Sequence, residues 1–154
     1  MPKRLLIIAH APSRNTERLR DAVIAGARGP EIEGVEVEAL SPFLTTPEHV
    51  LAAQAVILGT TENLGYMSGA LKDFFDRCYY PLLEGAQGLP YALYIRAGHD
   101  GTGTRRGVET IVTGLRWRAI HEPLICRGEW REDFVDSCHE LGMLVAAGLG
   151  LGVF

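Results

Sequence analysis

Cysteine is scarce in this sequence, with Cys78, Cys126 and Cys138 the three present. They form no C-x-x-C and leave an odd count. That argues against a disulfide framework or a zinc site, and for a reducing, cytoplasmic setting in which each serves as a small buried hydrophobe. Positive charge is thin as well. The 15 Lys and Arg are outnumbered by 19 Asp and Glu, for a formal net charge of -4 and a pI near 5.7. Without a concentrated basic excess, nucleic acid is not an expected partner. Long hydrophobic runs are missing too. The opening MPKRLLIIAHAPSR holds only about half the apolar core of a signal peptide and reads as a first strand. The uncharged close, LGMLVAAGLGLGVF, falls short of the roughly 18 residues of a membrane span, so no membrane partner is expected. It reads as a core-facing helix and tail, or as a subunit contact. No G-x-x-x-x-G-K-[ST], H-E-x-x-H or G-x-S-x-G occurs, leaving nucleotide hydrolysis, metalloprotease and hydrolase chemistry without a motif.

What is present is the balance of a folded domain: 154 residues, 47% hydrophobic and 22% charged, enough for one core without staples. A single domain over 1–154 is expected. RLLIIA, VEVEAL, QAVILGT and YALYIRAG read as strands, with AIHEPLIC a weaker fifth. The segments between them carry apolar residues at helical spacing, and that alternation predicts a parallel sheet with crossover helices. The first helix is expected to start at Asn15 or Thr16 and to bury Leu19, Ala22, Val23 and Ala27. The third is capped by Ser68, buries Leu71, Phe74, Phe75 and Cys78, and ends at Pro81. Fold rules then give a five-stranded doubly wound sheet in the order 2-1-3-4-5.

In such a sheet a ligand binds beyond the carboxyl ends of the strands. The loop after strand one, HAPSRNTERL, opens directly onto a helix. Its amides, with Ser13, Arg14, Asn15 and Thr16, suit a phosphate; alternatively, Asn15 or Thr16 simply caps the helix. His10 is open to a ligand contact or to a structural hydrogen bond. The loop after strand three, GTTENLGYM, sets Leu64, Tyr66 and Met67 among turn-forming Asn63 and Gly65. A flat apolar ligand would remove the cost of exposing that bulk, as would the core or a subunit interface. The loop after strand four, AGHDGTGTRRG, offers glycines for close backbone approach, but Gly101, Gly103 and Gly107 are spaced one residue too far for the dinucleotide fingerprint.

The segment GTTENLGYMSGALKDFFDR resembles the flavin loop and following helix of the flavodoxin-like flavoproteins, in particular the NAD(P)H-dependent FMN reductases and WrbA-type quinone reductases. AGHDGTGTRRGVETIVTGLRW resembles that group's third flavin loop and helix, and with HAPSRNT the resemblance spans nearly the whole chain. It implies an α/β flavodoxin-like three-layer sandwich, FMN as cofactor, NADH or NADPH as hydride donor, and a small acceptor such as a quinone or free flavin. It further implies that Ser13, Asn15 and Thr16 hold the FMN phosphate with Arg14 beside them. Thr61 and Glu62 are implied cofactor contacts too, followed by a ring-lining run of Asn63, Leu64, Gly65, Tyr66 and Met67. Gly98, Asp100 and Gly101 border the pyrimidine edge, with His99 over the ring or outside the site. No catalytic acid or base is implied, because hydride transfer to a flavin demands orientation above all. The phosphate loop departs from the group's pattern: Ala11 stands where a hydroxyl is usual and Arg14 where glycine is usual. A one-electron carrier of the true flavodoxin type and a module that has lost tight FMN binding are the other functions left open. Reductases of this group commonly pair, and Tyr79, Tyr80, Trp117, Trp130 and the tail are candidates for a homodimer contact or for internal packing.

Overall fold

A computed structural model describes residues 1–154. The apolar runs lie side by side as β1 (Lys3–Ala9), β2 (Val35–Leu40), β3 (Ala55–Asn63) and β5 (Pro90–Ala97), all parallel. The fifth position is shared by β6 (Arg118–Ala119) and β7 (Leu124–Arg127), which both pair with β5. The order β2-β1-β3-β5-β6/β7 is the expected doubly wound one. A two-residue strand, β4 (Tyr66–Met67), folds back antiparallel on the end of β3.

Both faces of the central strands are buried, as continuous apolar runs require. Register sorts the side chains by alternation. Ala39, Ile7, Ile57 and Ala92 form one row, and Leu40, Ile8, Leu58 and Leu93 the next. The first row faces α1 (Arg14–Ala27) and α5 (Asp133–Gly150), with Leu19, Val23, Leu141 and Val145. The second faces α3 (Gly69–Leu82) and α4 (Thr102–Gly114), with Phe74, Phe75, Val108 and Val112. Helix α2 (Pro47–Leu51) is a short connector, and no helix is long and apolar enough to cross a membrane.

Three expectations need correction. Helix α1 starts at Arg14, and its cap is Ser13, not Asn15 or Thr16. Pro81 lies inside α3, which continues to Leu82. A proline in the last turn sacrifices only one helical hydrogen bond, and the fully buried Leu82 anchors that turn. The fifth strand is interrupted because Pro123 has no N–H to donate and two extra residues bulge out. Residues 120–123 lie between the Ala119 and Leu124 pairings, opposite only Ala92 and Leu93 of β5.

Candidate functional site

The loops after β1, β3 and β5 meet at the carboxyl edge of the sheet. In the first, Ser13 and Thr16 form a capping box. The Thr16 amide donates to Ser13 Oγ at 3.2 Å, the Ser13 amide donates to Thr16 Oγ1 at 2.9 Å, and Thr16 Oγ1 donates back to the Ser13 carbonyl at 2.9 Å. Thr16 is therefore buried and committed to the cap. Arg14 and Asn15 are exposed. Their amides belong to the helix positions that have no intrahelical acceptor, so this turn keeps free donors and a positive dipole end for an anion. His10 packs edge-on to Phe43 at 6.4 Å between centroids, and burial holds its imidazole below the ordinary value. Behind this loop lies a cleft of about 520 Å³ whose walls include His10, Arg20, Leu40, Ser41 and Phe43.

The second loop is a β-hairpin. Glu62 pairs with Met67 and Asn63 with Tyr66, leaving Leu64 and Gly65 as the turn, with φ of 53° and 76°. Positive φ at both central residues is the turn that matches strand twist. For leucine it is a strained choice, and Leu64 is fully exposed at the tip. Strand alternation sends Met67 the other way, into the core at 2% exposure. It does not line the surface as expected.

Tyr66 packs one side of its ring on α4 and stays 38% exposed beside Leu64. A Cβ at Gly107 would lie 2.3 Å from the Tyr66 ring, and one at Gly103 would lie 2.0 Å from the Gly65 carbonyl oxygen. These two glycines, four apart on one helix face, make the groove that seats the hairpin. Their close approach is to the chain's own backbone and ring. The spacing that makes the groove was visible in the sequence; what it receives was not.

The third loop is tied to the second by Glu62, whose carboxylate accepts from the His99 amide through Oε1 and from the Gly101 amide through Oε2, each at 2.9 Å. Gly101, at φ 73°, turns the chain so that both N–H groups converge. Asp100, just ahead of the Gly101 N-cap of α4, accepts from the Thr102 amide at 3.0 Å. That hydrogen bond is the main reason its carboxyl is held below the usual range. Gly98, His99 and Asp100 are exposed, while Gly101 is buried.

The structure thus brings Arg14, Asn15, Asn63, Leu64, Gly65, Tyr66, Gly98, His99 and Asp100 to the surface of one sheet edge, with Ser13 exposed as well but serving as the α1 cap. It withdraws Thr16 into the cap and Met67 into the core. Thr61 donates its hydroxyl to Asn63 Oδ1 at 2.9 Å and so steadies the start of the hairpin. A neighbouring cluster escaped the sequence reading. Arg18 holds Glu132 by two hydrogen bonds, and Trp130 Nε1 donates to the same carboxylate at 2.7 Å. This ties α1 to the start of α5, and the Arg18 bond pushes the Glu132 carboxyl down to about 2.

No family model matches the chain. It is 26% identical over 166 residues to a protein named Flavodoxin from Aquifex aeolicus (strain VF5), across 97% of this chain and 89% of that one. The fold matches a flavodoxin from the domain Archaea with a TM-score of 0.78 at 17% identity, covering 93% of this chain and 96% of the other. It matches the flavodoxin of Megasphaera elsdenii at 0.75 and 18%, covering 92% and 98%. A flavodoxin, WrbA-like protein from Agrobacterium tumefaciens matches at 0.73 and 16%, covering 94% and 95%. The architecture is therefore the flavodoxin-like α/β sandwich, with five parallel strand positions and helices on both faces.

Proposed function

We propose that this chain binds FMN at the carboxyl edge of its sheet and takes hydride from NADH or NADPH to reduce a small acceptor such as a quinone or free flavin. The observation that carries the reading is the convergence at that edge of two donor sets and an apolar tip. The first turn of α1 presents amides beside Arg14 and Asn15 for a phosphate. The His99 and Gly101 amides converge on a pair of acceptor oxygens, the pattern that the carbonyl-bearing edge of a flavin also offers. Between them, a strained turn holds Leu64 in water, a cost that contact with a flat ring removes.

FMN would supply the electron-accepting ring; the chain's own residues bind and orient it. Arg14 and Asn15 would hold the phosphate, Leu64 and Asn63 would flank the ring, and Gly98 through Gly101 would fix its polar edge. Arg14, standing where this group of proteins usually has glycine, would bring a charge to the phosphate end, where Ala11 lacks the usual hydroxyl. A homodimer is part of this reading, with Tyr80, 78% exposed, available to a second copy. The second reading is a carrier that shuttles single electrons between proteins, favoured by the likeness to the Aquifex aeolicus flavodoxin.

The visible spectrum of the purified chain, taken before and after FMN addition and desalting and then with NADH or NADPH under anaerobic conditions, tests both. Retained flavin bands that bleach with a nicotinamide are expected. Retained bands that no nicotinamide bleaches move the function to the carrier, and failure to retain FMN at micromolar protein removes both readings.

A further inference from the structure

We infer that Glu62 is a built-in competitor for the flavin ring: its carboxylate takes the loop amides that the ring's pyrimidine edge needs, and flavin enters by exchange with it. The inference rests on the FMN reading above. Each backbone amide carries one proton and serves one strong acceptor. The amides of His99 and Gly101 each give theirs to a Glu62 oxygen at 2.9 Å, so the ring edge and the carboxylate cannot both be held there. A charged acceptor makes the stronger bond, so the exchange works against the ring and lowers its apparent affinity.

Release asks little of the backbone. Glu62 is fixed in the hairpin ladder opposite Met67, and only its side chain has to rotate. The carboxylate is half-buried and takes part in none of the ion pairs of the molecule, so no basic side chain holds it in place and it swings out into water. While it stays, it joins the second and third loops with the amides already facing one point. The same contact that opposes the ring also keeps its donors aligned.

Riboflavin, which lacks the phosphate, isolates the ring end. The full chain, freed of flavin, is titrated with riboflavin and with FMN by fluorescence quenching, alongside Glu62→Ala and Glu62→Gln. At least tenfold tighter riboflavin binding is expected in Glu62→Ala. Glu62→Gln, which keeps one acceptor oxygen, should gain less, and FMN should follow the same order. Amide hydrogen exchange reads the clamp without flavin: the His99 and Gly101 amides should exchange at least tenfold faster in Glu62→Ala, and FMN should restore their protection. Equal or weaker flavin binding by both variants, with unchanged melting temperatures, overturns the exchange and leaves the FMN reading standing. FMN bound by none of the three proteins overturns the reading, and the inference with it.

Discussion

Tyr94 sits wholly inside the α1/α5 face of the sheet, and its hydroxyl has no hydrogen-bond partner. Burial pushes its phenol far up, so it stays neutral and contributes no charge. A buried donor left unpaired costs about 1–3 kcal/mol, so Tyr94→Phe should stabilise the fold by about 1 kcal/mol. Urea unfolding of the two proteins checks it, and a loss of stability in Tyr94→Phe would mean the hydroxyl is satisfied by a buried water. The capping box at the head of α1 shows the opposite economy. Ser13 and Thr16 bond one another reciprocally, which leaves Arg14 and Asn15 freer for the proposed phosphate. Reading four polar residues in a row as four phosphate contacts misses this division, because sequence alone does not say which hydroxyls the helix claims for itself.

The hairpin of β3 and β4 concentrates strain where the ligand is proposed to lie. Asparagine tolerates positive φ better than leucine, so Leu64→Asn should stabilise the fold by about 1 kcal/mol and raise the melting temperature by roughly 2–4 °C. The same change should weaken FMN binding, since the apolar tip is gone. Calorimetry and a flavin titration read the two effects, and a variant that gains stability with no loss of FMN affinity removes Leu64 from the site. The parallel strands were legible because their runs are continuously apolar and bounded by turn residues. The hairpin was not, because Leu64 is an unfavourable residue for its turn and gives no propensity signal. The resemblance places Glu62 among the cofactor contacts; only the fold brings the His99 and Gly101 amides, far along the chain, to its two oxygens.

The two cores, one under α3 and α4 and one under α1 and α5, share a single sheet as their common wall. Neither layer keeps its wall if the other dissolves, so the chain should unfold as one unit. Trp117 belongs to the first core, and Trp130 packs against the second. Single-tryptophan proteins, Trp130→Phe and Trp117→Phe, should therefore give coincident fluorescence unfolding curves after correction for their own stabilities. Curves that separate would divide the molecule into two cooperative parts. The interrupted fifth strand bears on a different property, the behaviour of the molecule in a crowded solution. A sheet rim with a long row of unpaired amides is a template for a neighbour's strand and a seed for fibres. Here one rim is cut between Ala119 and Leu124 with Pro123 in the gap. The other is only six residues long, carries outward Glu36 and Glu38, and has its Val37 carbonyl taken by Arg28. Both rims are poor templates, and the chain should resist self-association into fibrils at concentrations where straight-edged sheets of this size begin to stick.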